Sequence, residues 1–186
     1  MAETAAMRSE APTVDLLDMS GTELYFDEPV APEIAALLEE ARSGVEPDVA
    51  EALLKEALHR APDDLTVIVA IYRFYYFRHD YAATLEIADL AMQAAGRRLN
   101  VPGDWRALTA ADIDRAGAAN MALLRFYLWA LKGAGYLLMR LGRMEEAIAP
   151  LETLCRLDVA DRIGGAGLLE LARETIDTPD RERTDR

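Results

Sequence analysis

Residues 134–157 read AGYLLMRLGRMEEAIAPLETLCRL, and this stretch decides the fold. Apolar side chains recur at three- and four-residue spacing on both sides of Leu141-Gly142-Arg143, which is the pattern of two amphipathic helices. A glycine just after a periodic segment is a common helix stop signal. The stretch therefore predicts a helical hairpin, in which two helices are joined by a short turn.

The same pattern occurs twice more towards the N-terminus. A shift of 34 residues places Ile34 on Ile68, and a shift of 63 residues places Ile68 on Leu131. The longer shift implies an insertion of about 29 residues between the second and third copies. A helix pair of this length cannot cover its own apolar face, so we expect the copies to stack.

Helices are the one type of regular structure that the sequence predicts. Asp48 is expected to cap the second helix, and Gly96 to end the fourth. Thr109 and Asp112 are spaced like a capping box, from which the insertion would lengthen the first helix of copy three, with a bend near Gly117.

These segments resemble the tetratricopeptide repeat (TPR) family. The resemblance rests on Gly135, residues 141–147 and Leu151, and on Ala50, Leu54, Ala57 and Pro62. It implies an all-α, right-handed helical-hairpin solenoid of about three degenerate repeats, closed by a capping helix at residues 168–176. Leu38 and Tyr72 stand where the family prefers a small residue, so we expect wider helix spacing at Tyr72.

Charge divides the chain into three parts. Residues 1–30 hold seven acidic residues and one arginine, with two short apolar runs, and are predicted to form a flexible arm. Residues 31–176 are predicted to form a single TPR-like domain, with its insertion at about 97–130. Residues 177–186 contain no apolar side chain and are predicted to be a disordered tail.

Composition excludes several classes of function. The 186 residues carry a net charge of −13, which opposes binding to nucleic acid phosphates and to anionic membranes. Residues 1–12 lack the apolar run of a signal peptide, and residues 116–139 are interrupted by Asn120, Arg125 and Lys132. We therefore expect a cytoplasmic protein that is not inserted in a membrane.

Candidate catalytic groups are few. His59 and His79 have no ligand or nucleophile partners at a recognisable spacing, and each is interpreted as a helix-end histidine. Cys155, the single cysteine, falls on an apolar helix face and is interpreted as a core residue. The sequence therefore predicts no catalytic residue, no metal site and no cofactor.

The candidate site is a partner-binding groove. In a stacked array of helix pairs, the first helix of each pair lines the concave surface. The helical period places basic and aromatic residues on that surface, which are Arg42, Arg73, Tyr76, Phe77, Trp129, Lys132, Tyr136 and Arg140. Aromatic residues and arginine are enriched at binding hot spots. The alternative is that the aromatic rings pack under the insertion or the capping helix.

We expect a non-enzymatic adaptor, assembly factor or stabilising factor that holds an acidic or aromatic segment of a larger protein. Residues 71–78 and 103–106 resemble small repeat proteins associated with nitrogen fixation, which implies a nitrogenase component as the client. A homodimer through the aromatic helix of copy two is a further alternative.

Two other functions remain open. Small acidic three-repeat chaperones of type III secretion systems are similar in length and charge, although they have no counterpart of the insertion. An enzyme, or a regulatory domain of one, would use a pocket at the insertion, where Asp104, Asp112 and Asp114 lie close in sequence.

Overall fold

The computed structural model describes residues 29–177, and this part of the chain is all-helical with no strand. The predicted arm and tail therefore lie almost wholly outside the described residues. The helices are α1 (Pro32–Arg42), α2 (Pro47–Arg60), α3 (Leu65–Phe77), α4 (Tyr81–Leu99), α5 (Ala110–Ala119), α6 (Met121–Arg140), α7 (Met144–Leu157) and α8 (Ala166–Asp177). A 3₁₀ turn, Trp105–Ala107, lies between α4 and α5.

Neighbouring helices pack in chain order. The pairs α1/α2, α3/α4 and α6/α7 are in contact, and α2 also contacts α3, α4 contacts α6, and α7 contacts α8. The helix α5 packs beside α6. Loops of three or four residues join each pair, so the two helices of a pair run in opposite directions.

The turns of the second and third pairs have the same hydrogen bonds. In the α3/α4 turn, the His79 amide donates to the Tyr76 carbonyl oxygen, and His79 has a φ of 61°. In the α6/α7 turn, the Gly142 amide donates to the Met139 carbonyl oxygen, and Gly142 has a φ of 73°. These atoms are 63 residues apart in the chain, which agrees with the shift found in the sequence.

The second helix of each pair buries equivalent positions. The buried sets related by the two shifts are Ala50, Thr84 and Ala147; Leu54, Ala88 and Leu151; and Ala57, Ala91 and Leu154. At the last pair, helices α6 and α7 approach closely because Gly135 has no side chain. A Cβ atom on Gly135 would lie 2.6 Å from Cγ of Leu151, whose side chain is fully buried.

Three local predictions were wrong. The insertion does not lengthen one continuous helix, because Asn120 leaves the helical conformation and caps α6 by accepting a hydrogen bond from the Leu123 amide at 2.9 Å. Asp48 does not cap α2, which begins one residue earlier at Pro47. Helix α4 continues past Gly96 to Leu99, where Asn100 adopts a left-handed conformation with a φ of 52°.

Two other local predictions are confirmed. The Thr109 side chain accepts from the Asp112 amide at 3.2 Å while the Asp112 carboxylate accepts from the Thr109 amide at 3.0 Å, so the capping box is formed. A helix is also present where residues 168–176 were predicted to be helical, since α8 covers them and packs against α7. Within residues 29–177, none of the helices has both the length and the apolar character needed to cross a bilayer.

One buried hydroxyl gives a stability prediction. Within the described residues, the Tyr127 hydroxyl is buried and has no hydrogen-bond partner. Because an unsatisfied buried polar group is destabilising, Tyr127→Phe should raise the free energy of unfolding by about 1 kcal/mol. The matched control is Tyr75→Phe, which should lower it by about 1 kcal/mol because the Tyr75 hydroxyl donates to Glu51 at 2.9 Å. Denaturant unfolding measures both, and equal losses would contradict the prediction.

Candidate functional site

An open groove lies between α3, α6 and the start of α8. Its volume is about 690 Å³. The residues that line it are Tyr72, Tyr76, Trp129, Lys132, Gly133, Tyr136, Gly164, Gly167 and Leu168. Four of these are aromatic, one is basic and none is acidic.

Helix α3 supplies one aromatic wall. Asp64 fixes the start of this helix, since its carboxylate accepts from the amides of Thr66 and Val67 at 2.8 and 3.2 Å. Tyr72 and Tyr76 are four residues apart and so lie on one helix face. Their rings stack with centroids 6.0 Å apart. Burial raises the pKa of Tyr72 to about 12.

Helix α6 supplies the opposite wall through side chains at three- and four-residue spacing. Trp129 is 61% exposed, so its indole is available to a ligand. Gly133 lies across from Tyr72, and a Cβ atom there would be 3.2 Å from the Tyr72 hydroxyl. The glycine therefore gives the large tyrosine room between the two helices.

A hydrogen-bonded group connects the two walls. The Tyr136 oxygen accepts from Arg140 at 2.9 Å and also bonds the Tyr76 hydroxyl. The Arg140 guanidinium lies 4.6 Å from the ring centroid of Tyr81, in cation–π contact. This arrangement holds an exposed positive charge beside the groove.

Lys132 has a structural contact as well as a place in the groove. Its Nζ donates to the Ile163 carbonyl oxygen at 2.8 Å, in the loop between α7 and α8. That loop is also held by Asp161, whose carboxylate accepts from the Gly165 amide at 2.6 Å. An ammonium group has three donors, so this contact leaves Lys132 able to bind an anion.

An exposed aromatic side chain extends the surface beyond the groove. Phe77 is 68% exposed, and its ring makes an edge contact with Tyr76 at 5.7 Å. The guanidinium of Arg73 lies 5.8 Å from the Phe77 ring centroid. These two residues place a second pairing of an aromatic ring and a cation next to the groove.

The structure brings most of the predicted site residues together. Tyr76, Trp129, Lys132 and Tyr136 line the groove, and Arg140, Arg73 and Phe77 contact its residues or each other. Arg42 is placed differently: it lies at the end of α1 and pairs with Glu39 at 3.7 Å.

The prediction missed other groove residues. Tyr72 and Leu168 also line the groove. The family resemblance placed Tyr72 where a small residue is preferred, and Leu168 was predicted as part of the capping helix. The four-residue spacing of Tyr72 and Tyr76, which places both on one helix face, was the signal that could have identified Tyr72 as a groove residue.

The other candidate groups have structural explanations. His79 has a positive φ in the α3/α4 turn, and its Nδ1 lies 2.7 Å from the Tyr81 hydroxyl. Burial, and then the nearby Asp161 and Asp158, raise the pKa of the Cys155 thiol, which disfavours a reactive thiolate. No cluster of three or more potential metal-ligating side chains occurs in residues 29–177.

Tyrosine ionisation tests the geometry of the groove. The hydrogen bond from Arg140, and then that from Tyr76, lower the pKa of Tyr136 below its ordinary value of 10.0. We expect Tyr136→Phe to remove a component of the ultraviolet absorbance titration that ionises below the ordinary pKa of tyrosine. Tyr72→Phe is the control, because burial raises the pKa of Tyr72 to about 12 and the loss of this tyrosine should leave the early part of the titration unchanged. Identical early titrations of wild type and Tyr136→Phe would show that this hydrogen-bonded group is absent.

The fold and the groove define an all-α protein with an aromatic cleft bordered by cations. Comparison with known proteins adds a relative from Azotobacter chroococcum mcd 1, named "Uncharacterized 19.8 kDa protein in nifW 5'region". The two sequences are 45% identical over 161 residues, which cover 87% of this chain and 90% of that protein. The chain therefore belongs to the same family as this relative. No protein-family model and no solved structure matches the chain.

Proposed function

We propose that the chain is a TPR-like solenoid that acts in the cytoplasm as a non-enzymatic adaptor or assembly factor. It holds a segment of a larger protein in the groove formed by α3, α6 and α8. The observation that carries this proposal is the combination of an exposed Trp129 with the cations Lys132 and Arg140 around one open groove.

The chemistry of the groove favours an acidic segment that also carries aromatic or apolar side chains. The rings of Tyr72, Tyr76 and Trp129 offer flat apolar surface with little conformational entropy to lose. Arg140 offers a planar guanidinium that can bind a carboxylate through two hydrogen bonds. None of the nine groove residues is acidic, so nothing within the groove itself opposes such a segment.

Nitrogen fixation is the proposed setting. The relative from Azotobacter chroococcum is named for the nifW 5' region, and the resemblance of residues 71–78 and 103–106 points the same way. A nitrogenase component is accordingly the larger protein that we propose as the client.

Capture from cell extract tests the proposal. Tagged wild-type chain should retain a larger protein at a fixed stoichiometry, and Arg73→Glu/Arg140→Glu should lose it while keeping its helicity and melting temperature. Arg60→Glu/Arg97→Glu changes the net charge by the same amount at two exposed residues that do not line the groove. Loss of capture in both variants, or in neither, would refute binding in the groove.

The carboxylates proposed for an enzyme at the insertion already have structural contacts. Asp104 accepts from the Arg106 amide at 3.0 Å. Asp112 forms the capping box and pairs with Arg115 at 2.7 Å. These contacts favour the adaptor over the enzyme.

A further inference from the structure

The groove is complementary to the chain's own N-terminal segment. Residues 1–28 hold seven acidic residues and one arginine. Lys132 lies in the groove and Arg140 lies beside it, with no acidic side chain among the nine groove residues. Electrostatic attraction therefore favours an encounter between the segment and the groove.

The pattern of side chains in this segment also fits the groove. Two short apolar runs, at residues 14–17 and 24–26, are each flanked or interrupted by acidic residues. Apolar side chains of such a run can contact the rings of Tyr72 and Trp129, and the neighbouring carboxylates can reach Arg140. The segment thus has the composition that we assigned to a client.

Chain length allows the contact. The described residues begin at Pro29, just before α1, and the pair α1/α2 packs against α3, which carries one wall of the groove. Eleven residues lie between Leu17 and Pro29, and the chain from Leu17 to Pro29 spans up to roughly 40 Å when extended. Helices that pack together lie about 8–10 Å apart, and α1 packs on α2, which packs on α3. The run at residues 14–17 can therefore reach the α3 wall.

Tethering makes even a weak contact effective. A short tether gives an effective concentration on the order of 1 mM, so a contact with a dissociation constant of about 100 µM would be occupied about ten times as often as it is empty. A separate client has to compete against that local concentration.

From these observations we propose that the segment of residues 14–26 occupies the groove of the same molecule, with its run at residues 14–17 among the aromatic rings, until a client displaces it. The proposal rests on the proposed function only in naming the client as the competitor. Occupancy of the groove itself can be measured without any client.

Fluorescence quenching of Trp129 tests the occupancy. The chain has two tryptophans, so Trp105→Phe in the full chain leaves Trp129 as the single reporter. Replacing Leu16, Leu17, Leu24 and Phe26 by serine should raise the acrylamide quenching constant at least about twofold, because an occupied groove would shield most of the indole. Replacing Ala2, Ala5, Ala6 and Ala11 by serine is the matched control and should change nothing.

A synthetic peptide of residues 13–28 completes the test. In the variant with serine at positions 16, 17, 24 and 26, the peptide should lower the acrylamide quenching constant of Trp129 until a plateau is reached. In the parent chain the peptide should have little effect, because the groove is already filled. Equal quenching in the parent and both variants, with no effect of the peptide, would overturn the proposal. Protection that appears only as the protein dimerises would also overturn it, because the segment would then fill the groove of a second copy.

The two proposals fail in different ways. If Trp129 becomes exposed in the variant but capture does not depend on Arg140, the occupancy stands and the adaptor function fails. If capture depends on Arg140 but quenching never changes, the adaptor function stands and the occupancy fails.

Discussion

Trp129→Ala combined with Arg140→Glu is expected to weaken binding of the captured client by on the order of 100-fold. Exposed tryptophan and arginine side chains dominate many interfaces because they bury a large area and make directed hydrogen bonds. Trp129 is 61% exposed and Arg140 lies on the surface, so neither substitution opens a core cavity. Titration calorimetry with the purified client gives the affinity.

A control with the same chemistry separates the groove from the rest of the surface. Leu171→Ala combined with Arg60→Glu removes an exposed apolar side chain and reverses one charge outside the groove. This variant should bind like the wild type, and thermal unfolding should show that both variants keep their fold. A similar loss of affinity in the control, or full affinity in the groove variant, would contradict the prediction.

Gly135→Ala is expected to destabilise the fold by about 2 kcal/mol, because an added methyl group overpacks the contact between α6 and α7. The new Cβ atom would lie 2.6 Å from Cγ and 2.7 Å from Cδ2 of Leu151, whose side chain is fully buried and cannot move away freely. This loss exceeds the gain of about 1 kcal/mol that alanine offers over glycine within a helix. Denaturant unfolding measures the difference.

Two further variants test the cause. Gly167→Ala is the control, since a Cβ atom there meets nothing within 4 Å, and its stability should not fall. In a Leu151→Ala background the clash is removed, so Gly135→Ala should become neutral or stabilising. If Gly135→Ala remained destabilising by the same amount in that background, the close approach of the two helices would not be its cause.

The sequence predicts the helices well because each of them has a periodic apolar face. Ile68 and Leu131 are both buried in the core, as the 63-residue shift requires. The capping box of Thr109 and Asp112 was also predictable, because it depends on residues three apart in the chain. Local periodicity and local hydrogen bonding are the parts of the fold that a single sequence carries most directly.

The two helix ends that were predicted wrongly have different causes, one local and one from packing. Proline is tolerated in the first turn of a helix because the amide hydrogen that it lacks has no partner there. Helix α2 therefore begins at Pro47, and Asp48 lies inside the helix instead of capping it. Gly96 stays helical because it packs near Tyr127, with a Cβ position 3.4 Å from that ring. Packing of this kind joins residues distant in the chain and leaves no periodic signal.

The candidate site was predicted in part. The helical period placed Trp129, Lys132 and Tyr136 on one face, and the structure lines the groove with all three. The helical period could not show that Arg42 lies outside the groove, because the direction in which α1 faces depends on how the first helix pair packs against α3. Leu168 was missed because the position of α8 beside the groove depends on the preceding loop. That loop is held by a hydrogen bond from Lys132, which is distant in the chain.

Site-specific photo-cross-linking tests binding in the groove most directly. A benzophenone amino acid placed at Trp129 in the full chain should form a covalent adduct with a larger protein in cells that contain the client. The same group at Val159, which is 66% exposed and does not line the groove, should form none. An adduct from position 129 alone is the result that we predict, and equal adducts from both positions, or an adduct from position 159 alone, would contradict it.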